Sequence, residues 1–114
     1  MSAGAGRGTV RVVNFLRVTE QQGPEAVERL VRAYHESSKA LQGTPGLLRN
    51  ELLRSLHEPE RFAVLSEWEG RDAFTAWEQG ARHKGQTAPV REFADSRPAR
   101  MPFVVYDVVD AYSE

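Results

Sequence analysis

The sequence predicts an α+β domain in which four strands and two helices follow the order βαββαβ, and three observations carry that prediction. The chain contains two β-branched runs far apart, TVRVVNFLRV at 9–18 and FVVYDVVDAY at 103–112. Two stretches between them repeat their apolar residues at helical spacing. Between those stretches lie two short apolar segments split by a polar loop, the pattern of a hairpin.

Each element can be justified in turn. In the first run Val10, Val12, Asn14, Leu16 and Val18 alternate with Arg11, Val13, Phe15 and Arg17, which is the period of a strand. Gly23 and Pro24 then break the pattern, and Pro24 suits a first helical turn. Val27, Leu30, Val31, Tyr34 and Leu41 mark the buried stripe of a helix reaching about residue 42. The turn GTPG at 43–46 leads into strands expected at 47–55 and 61–68, joined by the loop 57–60. A second helix is expected from Gly70 to about Arg82, with Asp72 as N-cap and Phe74, Trp77 and Ala81 facing inward. Gly85, Pro89 and Pro98 interrupt the stretch beyond it and leave one further turn near Val90–Phe93. The last strand is expected over 103–112. This is the split βαβ order of ferredoxin-like folds, a four-stranded antiparallel sheet with both helices on one face.

The face of the sheet that the helices leave bare would hold Arg11, Val13, Phe15 and Arg17, and the last strand sets Val105 and Val109 opposite Val104, Tyr106 and Val108. A half-apolar open face suits a second copy of the chain, so a homodimer closed like a barrel is expected.

Composition narrows the function classes. A chain of 114 residues builds one core, since lengths below about 150 residues rarely divide. We expect residues 1–8 to be a disordered tail and 9–114 a single domain. Fifteen basic against sixteen acidic residues give a net charge of -1, which offers neither the charge that binds nucleic acid nor a polybasic membrane patch. The absence of cysteine removes thiolate nucleophiles, disulfides and thiolate metal ligation. The start MSAGAGRG has no apolar core or cleavage pattern, so a cytoplasmic location is the default. Its Gly4, Gly6 and Gly8 imitate a dinucleotide fingerprint, but that motif must follow a strand. Three separated histidines, His35, His57 and His83, lack metal-ligand spacing, and the first two are expected in solvent.

Three segments carry a resemblance to a known family: EWEGRDAFTAW at 67–77, GTPG at 43–46 and VVYDVV at 104–109. Together they resemble the antibiotic biosynthesis monooxygenase family of dimeric α+β barrel proteins, over nearly the whole stretch from Val10 to Tyr112. The resemblance implies a pocket between sheet and helices. In the polyketide-tailoring members it implies oxidation of an anthrone-like aromatic substrate by molecular oxygen without metal, flavin or haem. Oxygen chemistry normally draws single electrons from a cofactor, but an electron-rich phenol that loses a proton supplies them itself. The protein then binds the ring, helps remove a proton and holds the anion. Haem degradation, cyclase-like assistance to a polyketide, and binding without turnover are the alternatives within the same fold.

The candidate residues divide by role. Asn14 shares a face with four aliphatic residues, where an unpaired amide costs about 1 to 3 kcal/mol. Either it is tied to neighbouring protein groups or it holds a substrate carbonyl or oxygen intermediate; haem-degrading relatives carry an asparagine in the first strand. Trp77 and Phe74 stand on the inner stripe of helix two, as core or as pocket wall. Trp68 ends the third strand on the side of Phe62, Val64 and Ser66; a tryptophan at this junction is functional in the anthrone-oxidising relatives, but their asparagine four residues earlier is Val64 here. Tyr34 offers a hydroxyl to the pocket or its rim. His83 has the intrinsic pKa of a general base, near 6.5, and equally suits a helix C-terminus; in an unbroken helix it would point about a third of a turn away from Trp77. In the haem degraders the iron-binding histidine falls nine or ten residues beyond the helix tryptophan, where this chain has Gln86 and Thr87. Asn14, Trp77 and His83 are therefore the expected catalytic residues, Trp68, Phe74 and Tyr34 the expected substrate contacts, and no cofactor or metal is expected.

Overall fold

A computed structural model describes residues 8–80, 83–98 and 103–113. It contains β1 (Val10–Arg17), α1 (Ala26–Leu41), β2 (Leu47–Arg54), β3 (Arg61–Trp68), α2 (Arg71–Glu78), a short α3 (His83–Thr87) and β4 (Phe103–Asp107), with 3-10 turns at Glu20–Gln22 and Ala88–Phe93. The strands form one antiparallel sheet in the order β2-β3-β1-β4. The expected tail lies outside the described residues apart from Gly8.

Register makes the two faces of the sheet unlike. Val10, Val12, Asn14 and Leu16 pair with Trp68, Ser66, Val64 and Phe62, so all eight point to the helices. The alternation of β1 was the correct guide, because a period of 2 sends every second side chain to the same face. On the other face Val13 pairs with Leu65 and with Val104, and Phe15 with Ala63. The register sets Val104 and Tyr106 on this outer face and puts Val105 beside Val12 on the inner one.

The inner face carries two core clusters. One gathers Val10, Val12, Trp68 and Phe74, with Leu47, Ala73, Trp77 and Phe103 around it. The other gathers Leu16, Leu30, Phe62 and Phe93 beneath α1. Each large side chain fully buried in these clusters stabilises the fold by about 1.5 to 3 kcal/mol. The stripe of α1 differs from expectation at one residue, since Val31 is 37% exposed whereas Ala26, Leu30 and Ser37 are buried. Val31 lies one step round the helix from Leu30, past the edge of the contact.

Several expected boundaries change for local reasons. Gly70, not Asp72, stands at the N-cap of α2, and its extended backbone (φ -175°) lets the chain turn directly out of β3. The helix ends at Glu78 and a separate short helix begins at His83, while Ala81 and Arg82 lie outside the described residues. The further turn expected near Val90 is a 3-10 turn. β4 stops at Asp107 instead of reaching Tyr112, because Asp107 already pairs with Val10, the first residue of β1. Val109 and Tyr112, beyond that pairing, are 85% and 80% exposed. At the other end of β1, past the Asn14–Phe103 pair, Ala94 bridges to Leu16 and the Asp95 N–H donates to the Phe15 carbonyl at 2.8 Å.

The GTPG turn seats α2. Gly46 has φ +81°, a left-handed backbone that favours glycine, and a Cβ there would lie 2.3 Å from the Cβ of Ala73. Its carbonyl accepts the Glu69 N–H at 2.8 Å. The close approach fixes the helix that carries Phe74 and Trp77.

Candidate active site

A cavity of about 480 Å³ opens between the inner sheet face and the helices. Asn14, Tyr34, Trp68, Phe74 and Trp77 all line it, together with Phe103 from β4. The register explains the assembly: Asn14 pairs with Val64 on one side and Phe103 on the other, and Trp68 ends the same face of β3.

One end of the cavity is aromatic. Trp68 lies 5.5 Å from Phe74 and 5.3 Å from Trp77 between ring centroids, and Phe74 lies 6.0 Å from Phe103. The Trp68–Phe74 and Phe74–Phe103 pairs meet edge to face, the arrangement that ring quadrupoles favour. These rings wall the cavity and leave its volume open. Trp68 is almost fully buried, and its indole Nε1 donates to the Ser66 hydroxyl at 2.9 Å. Trp77 donates from Nε1 to Gln86 Oε1 at 2.7 Å, and Gln86 Nε2 donates to the Ala40 carbonyl at 2.8 Å. Gln86 thus ties α2 and α3 to the end of α1 with both ends of its amide.

The other end is polar. The Tyr34 hydroxyl donates to Asn50 Oδ1, and the Ser38 hydroxyl donates to the same oxygen at 3.1 Å. Ser37, on the cavity wall, has a buried hydroxyl with no hydrogen-bond partner among the described residues. Asn14 lines the cavity from β1 beside Phe103, half-buried, and no hydrogen bond among the described residues engages its amide. The tie to neighbouring protein groups offered for Asn14 is not seen among the described residues.

The remaining candidates are not drawn together. His35 and His57 are exposed. The side chain of His83 lies outside the described residues, and the break between α2 and α3 removes the continuous helix on which its expected angle to Trp77 depended. The cavity lining includes no histidine or carboxylate among the described residues. Asn50 and Ser66 were missed by sequence reasoning. Asn50 follows a register shift between Leu47 and Arg49, so counting alternate residues along β2 does not assign its face.

Among the described residues the cavity lining holds neither imidazole nor thioether, two of the groups that ligate haem iron. Gln86, at one of the places where the haem degraders carry their iron ligand, has both amide ends engaged. The Tyr34 hydroxyl is committed to Asn50.

Among the described residues one carboxylate is clearly perturbed, and it lies away from the cavity. Arg97 donates two side-chain hydrogen bonds to Asp95, at 2.9 and 3.0 Å, and its backbone N–H adds a third at 3.1 Å. These bonds hold the buried Asp95 carboxyl below the usual carboxylate range, against the opposing effect of burial.

Comparison with known proteins places this architecture. The antibiotic biosynthesis monooxygenase family model matches residues 9–86. The chain is 35% identical over 79 residues to a heme oxygenase (mycobilin-producing) of Mycobacterium tuberculosis, covering 67% of this chain and 71% of that one. It is 29% identical over 84 residues to Protein SchA of Streptomyces halstedii, covering 74% of this chain but 21% of SchA. The crystal structure of SnoaB, a cofactor-independent oxygenase from Streptomyces nogalater, superposes with a TM-score of 0.71 at 16% identity, covering 94% of this chain and 99% of SnoaB. A conserved protein from Methanosarcina mazei Go1 superposes with a TM-score of 0.69 at 18% identity, over 90% and 94% of the two chains. At those identities the structures establish the fold, and the family model with the mycobacterial relative establishes the lineage. The chain belongs to the antibiotic biosynthesis monooxygenase family.

Proposed function

We propose that this chain is a cofactor-independent monooxygenase that oxidises an aromatic, anthrone- or polyketide-like substrate with molecular oxygen in secondary metabolism. The observation that carries this reading is the Asn14 amide, without a hydrogen-bond partner among the described residues, on the wall of an open cavity lined by aromatic rings. Trp68, Phe74 and Trp77 would hold the plane of the substrate, and Asn14 would hold its carbonyl or the oxygen intermediate.

The chemistry balances without an external electron donor. An anthrone methylene loses a proton, and the resulting anion gives electrons to oxygen; one oxygen atom ends as the new carbonyl and the other leaves as water with the two hydrogens. His83 is the proposed base, and a substrate already ionised would need none. Aerobic incubation with an anthrone should consume one oxygen per quinone formed without added metal or flavin, and Asn14→Ala should lose most of that rate. No turnover across several anthrones, or full activity in Asn14→Ala, would sink the proposal.

The relative named as a heme oxygenase gives a haem reading its specific support. The commitment of Gln86 and Tyr34 to other hydrogen bonds supports the cofactor-free one. Titration with haemin should give no stoichiometric shift of the Soret band; a tight shift reverses the ranking. A cyclase-like or purely binding member would bind the aromatic and consume no oxygen. We also propose that the outer sheet face pairs two copies into a homodimer, supported by its half-buried Val13, Phe15, Leu65 and Val104. Light scattering should return twice the chain mass. No described helix is long and apolar enough to cross a membrane.

A further inference from the structure

We propose that Asn50 and Ser66 form a paired hydrogen-bond donor subsite on the cavity floor, built to hold the ionised oxygen of a phenolate or enolate substrate. The two residues are direct cross-strand partners on the inner face, which sets their Cβ atoms about 4.5 to 5.5 Å apart. Both line the cavity.

Each is oriented by a neighbour that takes its acceptor. Asn50 Oδ1 receives the hydroxyls of Tyr34 and Ser38, and because the amide is planar this turns Nδ2 and its two donors to the opposite side. Ser66 Oγ receives the Trp68 indole N–H at 2.9 Å, which leaves its own proton to give. No described residue accepts from Asn50 Nδ2 or from the Ser66 hydroxyl. Two prearranged donors side by side, in a cavity whose lining also includes Arg91, favour an anionic oxygen over a neutral one, since charge-assisted hydrogen bonds are roughly twice as strong. Tyr34 and Ser38 are positioning residues in this arrangement. The identification of the anion as the substrate's own oxygen rests on the oxygenase reading; the donor pair itself does not.

The test uses 2-hydroxyanthraquinone, a flat phenol with a coloured phenolate and no methylene to oxidise. Its absorbance is titrated against pH, free and with saturating full-length protein. The bound probe should ionise about one pH unit lower than the free probe, equivalent to about tenfold tighter binding of the phenolate. Asn50→Asp keeps an acceptor for Tyr34 and Ser38 but replaces the donor edge with a carboxylate oxygen, and should reverse the shift. Ser66→Ala should remove much of it, and Tyr34→Phe should reduce it by freeing the amide. An unshifted titration in the wild type, no binding, or an undiminished shift in Asn50→Asp overturns the assignment, even where anthrones are oxidised. A shift that the variants abolish, in a protein that oxidises no anthrone, supports the donor pair and removes the oxygenase reading.

Discussion

The two ends of the cavity are built on different physical terms. The aromatic end is part of the hydrophobic core: Trp68 and Phe74 are buried, and the same rings that face the cavity hold α2 to the sheet. The polar end joins α1 to β2 through directional bonds, Tyr34 and Ser38 to Asn50, with Ser37 beside them unpaired among the described residues. A site walled by core residues inherits rigidity from folding, whereas a site held by hydrogen bonds can be retuned without dismantling the fold. Damage should therefore divide into loss of structure at one end and loss of recognition at the other.

The sharpest way to break that division is at Trp68. Trp68→Ala should cost about 3 to 5 kcal/mol in denaturant unfolding, because it leaves a cavity in the core cluster. A cost below about 1 kcal/mol would mean the aromatic end is not structural. Gly46→Ala should follow at about 2 kcal/mol or more, since it combines a left-handed backbone with a Cβ driven into Ala73. A melt unchanged from wild type would show that α2 is not seated by this turn. At the polar end Tyr34→Phe should cost about 1 kcal/mol, one hydrogen bond's net worth, while leaving the near-ultraviolet signal of the tryptophans intact.

Acid separates the cavity from its frame. The described cavity lining holds no carboxylate or histidine, but Asp95 at the β1 edge has a lowered pKa because Arg97 bonds its carboxylate. Its contribution to stability is complete above the ordinary carboxylate value, about 3.9. It is lost as pH falls below that value through the lowered native pKa, because the unfolded chain then binds the proton more readily. Asp95→Asn should flatten this acid limb of the stability curve, and an unchanged limb would refute the assignment. The smallest effect belongs to Ser37→Ala, which removes a buried unpaired hydroxyl. It should be neutral or stabilising by up to about 1 kcal/mol, and a loss larger than that would reveal an unrecognised partner.

The same comparison explains how much was legible beforehand. The aromatic end could be read because Phe74 and Trp77 repeat at helical spacing and Trp68 follows the alternation of β3. Asn14 could be read because an amide interrupts an otherwise aliphatic face. The polar end depends on Asn50, which sits in LLRNELLR after a bulge, so periodicity gives no account of its direction. Its orientation also needs Tyr34 and Ser38, which a turn and part of a strand separate from it in sequence. Val31 and the ends of α2 and β4 depended on where a partner element stops, information that a single segment does not contain.

The measurement closest to the central claim is tryptophan fluorescence. The chain has two tryptophans, and both line the cavity. A planar aromatic such as 2-hydroxyanthraquinone should quench most of the emission in a saturable titration with one site per chain, and Trp77→Phe should leave the Trp68 signal still quenched. Emission that is unaffected at saturating probe, or quenched without saturation, would contradict an aromatic-binding cavity at this place.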